Sequence, residues 1–315
     1  MKEGGRSQRR FVLIAGPTAS GKSALALDLA ECAMARGRPA VIINADSMQV
    51  YRELRVITAR PEPAQEARVH HELFGYMSAS DVYSTGAWLR AVRQCLDRIE
   101  ETALIILVGG TGLYFKALTE GFAEVPDVPA EVRARVRDAL ARDGKEVLFA
   151  RLRAVDPEGA NSLEEGDSQR ILRALEVYEA TGRPLGAWKK ERQTEALLEE
   201  VRCHKLVLLP DRSDLYSRID KRFQQMVDAG ALDEVRDLMA LELPSDRPAL
   251  KAIGVPQLTA YLRGETDLQG AIESASQESR RYAKRQMTWL RNQMGDDWQR
   301  LSAREEADLS TLAGE

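Results

Sequence analysis

The sequence predicts an α/β protein: a parallel sheet flanked by helices, with an all-helical insertion set into it. Three observations carry this. Short apolar runs rich in β-branched residues alternate with helix-patterned stretches, as in buried parallel strands and their crossovers. The first of these runs leads through a glycine loop directly into a helix. From Pro126 to about Gln193 the apolar runs stop, and only helical patterns remain.

Taken in order, Phe11–Ala15 is the first expected strand. Gly16-Pro17-Thr18-Ala19-Ser20-Gly21-Lys22-Ser23 follows it and opens the helix-like Ala24–Arg36, where Leu25, Leu29 and Cys32 recur at helical spacing and Gly37 closes the segment. Ala40–Ala45 is a second strand, ending at Asp46. Trp88–Ile99 is helical, and Ala103–Val108 is a third strand. It turns through Gly109-Gly110-Thr111-Gly112 into a helix over Leu113–Thr119. Composition shifts near Gly121. Ala130–Arg142, Lys145–Ala154 and Ser168–Thr181 read as helices, the last stopped by Gly182-Arg183-Pro184. Lys205–Leu209 resumes the strand pattern and ends at Pro210. From Asp211 the chain is helical to about Met294, and the polar, acidic tail Ser302–Glu315 is expected to fray. This places a core at 1–121 and 200–315 and a helical insertion at 122–199; the alternative is extra core helices without domain status. The adjacent His70 and His71 read as loop residues or an incidental ligand contact, since one further histidine, His204, makes no metal site.

With 315 residues, 44% of them hydrophobic, the chain buries a sizeable core. Its net charge of −4 excludes a molecule that is basic overall, so any nucleic-acid site has to be a local patch. Cys32, Cys95 and Cys203 are too dispersed for a zinc site or a disulfide framework. The apolar run after the polar Met1–Arg6 is too short for a secretory signal or a membrane span. The expectation is a soluble, cytoplasmic monomer with no membrane partner.

The glycine loop carries the clearest chemistry. A strand, a glycine loop and a helix in this order form a phosphate cradle. Backbone N–H groups and the helix N-terminus face an anion, Lys22 reaches a terminal phosphate, and the Ser23 hydroxyl is placed to hold Mg²⁺. The expected sheet is therefore P-loop NTPase-like. The alternative is a glycine turn that only caps a helix. Asp46, at the end of the next strand run, is the carboxylate best placed to face the loop, because ligands of open α/β sheets sit beyond the strands' carboxyl ends. It would either order Mg²⁺ or accept a proton. The Gly109–Gly112 turn offers further backbone amides and a hydroxyl, or is only a tight turn. Arg218 and Arg222 share one helix face, with Arg212 in the turn before them, and suit a diphosphate or a solvated surface. Gln169-Arg170-Ile171-Leu172-Arg173 and the segment Ser279–Arg291 look fit for a polynucleotide. In the second, Tyr282, Arg285 or Gln286, and Trp289 share a face beside Arg281 and Lys284; cations among aromatics suit phosphates and stacked bases. An amphipathic core helix is the alternative.

Together these segments resemble the bacterial tRNA dimethylallyltransferases over almost the whole chain. The resemblance rests on Gly16–Ser23, Asp46–Arg52, Gly109–Leu118, Asp167–Leu185, Leu215–Arg222, Lys251–Gly254 and Arg280–Arg291, in this order. It implies that the loop Gly16–Ser23 holds the diphosphate of dimethylallyl diphosphate rather than ATP. It implies transfer of the dimethylallyl group to N6 of the adenosine just 3′ of the anticodon in tRNA, with loss of diphosphate. Asp46 would be the general base, and Lys22, Ser23 with Mg²⁺, Arg218 and Thr111 would complete the catalytic set. Asp46, Ser47, Met48, Gln49, Thr111 and Arg133 would contact the anticodon stem-loop. Gln169, Arg170, Ile171, Leu172 and Arg173 would grip it from the insertion, and Arg281, Lys284 and Arg285 from the late helix. The chain departs from the commoner family pattern over Glu53–Pro61, at Val69 and at Ser279. Other readings of the same loop are an adenylate isopentenyltransferase, an ATP-dependent small-molecule kinase and a non-catalytic RNA-binding module. The last two leave, respectively, the basic patches and the set Lys22, Asp46 and Arg218 unexplained.

Overall fold

The structure is a computed structural model and describes residues 9–123, 125–191, 196–198 and 203–314. The polar start Met1–Arg6 and the expected insertion boundary at 199/200 lie outside the described residues. The chain forms two compact units, one made of Met1–Ala117 with Glu200–Glu315 and the other of Leu118–Glu199.

In the first unit the elements run β1 (Arg10–Ala15), α1 (Lys22–Ala35), β2 (Ala40–Asn44), α2 (Pro63–Glu66), β3 (His70–Glu72), α3 (Thr85–Arg98), β4 (Leu104–Gly109) and α4 (Gly112–Glu120). The helical unit holds α5 (Ala130–Asp143), α6 (Lys145–Val155), α7 (Pro157–Asn161), α8 (Ser168–Thr181) and α9 (Leu185–Glu191). The first unit then continues with β5 (Cys203–Leu208), α10 (Arg212–Asp228), α11 (Ala231–Ala240), α12 (Val255–Leu262), α13 (Leu268–Gln293), β6 (Gln299–Leu301) and α14 (Leu309–Ala313).

The six strands form one sheet in the order β3-β2-β4-β1-β5-β6, parallel throughout. The four strands expected from apolar runs are its centre; β1 beyond Arg10, β2 and β4 are buried on both faces as a parallel sheet under helices requires, and β5 is buried over its second half, Leu206, Val207 and Leu208. Val12 and Ile14 of β1 pack against Leu25 and Leu29 of α1; each such side chain gains about 1.5–3 kcal/mol from burial. This packing fixes α1 directly behind the glycine loop.

Two expectations are corrected. His70 and His71 are not loop residues: they form the short edge strand β3, paired to Val41 and Ile42. The His71 ring is bonded to Val69 O at 2.8 Å and His70 to Glu72 at 3.0 Å, so local partners occupy both rings. The tail is not frayed either. Leu312 and Ala313 of α14 are buried with Leu29 and Ala33 of α1, because the tail carries enough apolar surface to close the outer face of that helix. Among the described residues no helix is long and apolar enough to cross a membrane, and all three cysteines are free thiols.

The end of β4 is the tightest point of the sheet. A Cβ on Gly109 would lie 2.0 Å from the carbonyl oxygen of Ala45, a backbone atom that cannot turn aside. Gly109→Ala is expected to destabilise the protein by about 1–3 kcal/mol through overpacking, read as a lower denaturant midpoint at unchanged slope. A midpoint equal to that of the parent protein would contradict this packing.

Candidate active site

The parallel register brings three strand ends to one level. β1 pairs Ala15 with Gly109, and β2 pairs Asn44 with Val108. The loop after β1, Asp46 after β2 and the glycine turn after β4 therefore meet at one edge. Backbone bonds tie them: Gly16 N donates to Gly109 O at 3.3 Å, Ala45 N to Val108 O at 2.8 Å, and Thr111 N to Ala45 O at 3.2 Å. The Thr111 hydroxyl accepts from Ser47 N at 3.0 Å, so this expected substrate contact is engaged in holding the Asp46 loop.

The glycine loop has the shape of an anion cradle. Ala19 (φ 61°) and Gly21 (φ 93°) are left-handed, which turns the intervening amides toward one side. Its cavity, about 130 Å³, is walled by Thr18–Ala24, by Asp46, Gln49 and Thr58, and by Arg222 from α10. Ser20 is buried with an unpartnered hydroxyl, while Ser23 is exposed on the cavity wall. Lys22 Nζ donates to Pro17 O at 3.1 Å. Burial pulls the Lys22 ammonium down to about 8, against the attraction of Asp46 and with the repulsion of Arg222. Arg222 is lowered as well, by burial, with Asp46 opposing. Two desolvated cations thus share one carboxylate, which leaves the cavity short of negative charge.

Asp46 is held by its backbone and one oxygen. Asn44, fully buried, accepts from Asp46 N at 2.8 Å and donates to Asp46 O at 2.9 Å and Leu73 O at 3.0 Å. Trp88 Nε1 in turn donates to Asn44 O at 2.8 Å. Met48 N donates to Asp46 Oδ1 at 2.9 Å. Oδ2 faces the Gly110 side, where a Cβ on that glycine would stand 3.4 Å from it. The following segment, where the chain departs from its family pattern, is braced from two sides. Glu234 of α11 accepts the N–H groups of Arg55, Val56 and Ile57 at 2.7, 2.7 and 2.9 Å. Gln49 Nε2 donates to Thr58 O at 2.9 Å and Ala59 O at 3.1 Å. Gln49 therefore shapes the cavity wall that it shares with Thr58.

Several expected site residues fall elsewhere. Arg218 is exposed and outside the cavity lining, in electrostatic reach of Glu305; its neighbour one helical turn on, Arg222, lines the cavity. Met48 turns its side chain onto the apolar cluster around Val50 and Leu54 rather than outward. In the helical unit Ile171 and Leu172 are 1% and 7% exposed and belong to its core with Val136, Leu148 and Leu152, so neither side chain offers a surface to RNA. The helix that carries them presents Gln169, Arg170 and Arg173 outward. Arg170 pairs with Asp167 at 3.4 Å and Arg173 with Glu176 at 4.0 Å; Arg133 is half-buried beside the same Glu176. On α13 Arg281, Lys284 and Arg285 are exposed, with Arg281 and Arg285 sharing Glu278 at 3.8 and 2.8 Å. Gln286 and Trp289 face the opposite way, onto Gly110 and Gly112.

The Lys22 shift has a direct consequence. The ammonium loses its charge as the pH rises through about 8, so affinity for a diphosphate is expected to fall above that pH by up to about tenfold per pH unit. Lys22→Met should bind weakly and without this break. Isothermal titration across the range checks both; a flat profile for the parent protein would contradict the assignment.

Comparison with known proteins gives the family. The family described as IPP transferase matches residues 49–293. The tRNA dimethylallyltransferase of Sinorhizobium medicae is 49% identical over 295 residues, covering 93% of this chain and 95% of that one. That of Azorhizobium caulinodans is 52% identical over 290 residues, covering 92% and 91%. Among solved structures, the tRNA isopentenylpyrophosphate transferase of Bacillus halodurans superposes with a TM-score of 0.63 at 30% identity, over 93% of this chain and 89% of that one. A eukaryotic dimethylallyltransferase described as acting on tRNA superposes with a TM-score of 0.72 at 25% identity, over 90% and 70%. On this match, and on relatives at 49–52% identity over nearly all of its length, the chain belongs to the IPP transferase family.

Proposed function

We propose that this protein is a tRNA prenyltransferase, which moves the dimethylallyl group of dimethylallyl diphosphate to N6 of the adenosine just 3′ of the anticodon and releases diphosphate. The observation that carries the reading is the single cavity shared by the glycine loop, Lys22, Arg222 and Asp46 in a chain of this family.

The chemistry follows from the residues. An exocyclic adenine amine is a poor nucleophile because its lone pair is delocalised into the ring. As the N6–C1 bond forms, Asp46 takes the N6 proton; as the C1–O bond breaks, its electron pair leaves with the diphosphate. The loop amides, Lys22 and Arg222 stabilise that departing charge, each contact of this type being worth about 2.7–4 kcal/mol of barrier. Tyr282 and Tyr114 stay neutral near Asp46, raised by burial and then by surrounding charge, which supports Asp46 as the proposed base. The acceptor base has to leave its stack to reach this site. The exposed cations of α13, and Gln169, Arg170 and Arg173 of the helical unit, are the proposed RNA contacts.

The residues fit Mg²⁺ held chiefly by substrate. Ser23 stands on the cavity wall, and no group of three or more His, Cys, Asp or Glu forms a protein cage among the described residues. An ion bound through diphosphate oxygens, waters and one or two protein oxygens matches that donor set. When bound, it would neutralise charge on the leaving diphosphate.

Incubation with an anticodon stem-loop, dimethylallyl diphosphate and Mg²⁺ should add one dimethylallyl mass to the RNA. AMP as acceptor, or ATP as donor, should yield none; mass gain on AMP alone, or phosphate transfer from ATP, would overturn the reading. Asp46→Asn keeps the acceptor for Met48 N. It should lower kcat by about 10²–10⁴-fold with little change in dimethylallyl diphosphate affinity. Equal loss of binding and rate would make Asp46 a positioning residue instead.

A further inference from the structure

Gln286 sits where a helix of this kind buries apolar residues. Ala283, Met287 and Leu290, its neighbours on the inner face of α13, are all buried, and Gln286 is only 7% exposed. A polar amide in such a stripe is costly unless both of its ends are satisfied. Here they are. Oε1 accepts from Thr18 N, inside the glycine loop, at 3.0 Å, and Nε2 donates to Gly110 O, in the turn after β4, at 2.9 Å. The side chain thereby bridges the turns that follow two neighbouring strands, β1 and β4.

We propose that Gln286 is a positioning residue of the diphosphate loop, its amide tying Thr18 to Gly110 and so setting the shape in which the remaining loop amides meet the anion.

Three features support this. The Thr18 N–H is already spent on Gln286 and the Ser20 N–H on Pro17 O at 3.3 Å, so the anion contacts fall to the remaining amides of the loop, Ala19 and those from Gly21 onward. Gly110 is shaped for the tie: a Cβ there would lie 2.4 Å from Nε2 and push the amide off its partner. Trp289, one turn further along α13, closes on Gly112 of the same turn, where a Cβ would come within 1.9 Å of the ring. The helix is thus seated on the turn at two points, which fixes the amide's position. Only a neutral group with one donor and one acceptor satisfies both partners. An ionised carboxylate faces Gly110 O with no proton to give, and a leucine leaves both backbone groups unpaired.

The inference rests on the diphosphate reading of the loop, and the experiment separates the two. Binding of dimethylallyl diphosphate to the whole protein is measured by calorimetry for the parent, Gln286→Leu and Gln286→Glu, with thermal midpoints confirming that each is folded. Gln286→Leu should raise Kd roughly tenfold. Gln286→Glu should bind poorly near pH 8. Its Kd relative to the parent at the same pH should fall toward one as the pH is lowered to about 6, because a protonated acid restores both hydrogen bonds while burial beside an anion raises its pKa. A folded Gln286→Leu that binds like the parent, or a Gln286→Glu ratio that does not fall on acidification, overturns the tie. A parent protein that binds no diphosphate overturns the underlying reading, and the tie's role with it.

Discussion

The whole site hangs on the parallel register of β2, β4 and β1. Because these strands pair in step, their carboxyl ends stop at the same level, and the loops that follow have nowhere to go but toward one another. Gly109 is the point where this closeness is greatest. The missing Cβ lets β4 approach the Ala45 carbonyl, and the backbone bonds among Gly16, Ala45, Gly109 and Thr111 then knit three loops that are far apart in sequence. The chemistry is assembled by backbone geometry first, and side chains are added to a frame that already exists.

Electrostatics explains what the frame is for. Lys22 and Arg222 are both desolvated, and the same Asp46 favours the charged form of each against that penalty. A cavity with two such cations and one carboxylate is incomplete without an anion. In the proposed function a diphosphate supplies the missing charge and is bound most strongly as the bond to carbon breaks, which is the condition for catalysis rather than mere binding. The supports behind the site (Asn44, Trp88, Glu234) bond to backbone rather than line the cavity, Gln49 does both, and together they hold the walls at fixed spacing.

Much of this could be read from the residues, for physical reasons that also mark where reading stops. Buried parallel strands announce themselves as unbroken apolar runs, so the four central strands were legible, as was Asp46 at the end of one. The edge strands β3 and β6 were not: each is three residues long and largely polar, and only pairing with a neighbour makes it a strand. Helical spacing placed Arg218 and Arg222 on one face, but which of two arginines a turn apart reaches the cavity depends on where α10 begins, and that is set by tertiary packing. Ile171 and Leu172 share one short motif with Gln169, Arg170 and Arg173, and it is helical periodicity, not the motif, that separates the buried pair from these polar neighbours. Gln286 did carry a signal, an uncharged polar residue in line with Ala283, Met287 and Leu290, but its partners belong to loops 268 and 176 residues away.

In the proposed function Lys22 and Arg222 together form the cationic half of a diphosphate cradle. A double-mutant cycle on dimethylallyl diphosphate affinity with Lys22→Met, Arg222→Met and both, and Arg218→Met as the outside reference, measures this. Each cavity variant is expected to weaken binding, the two effects not adding because the cations share one anion and one counter-ion, and Arg218→Met is expected to bind close to the parent. Affinity unchanged by Arg222→Met, or lost instead with Arg218→Met, would contradict it.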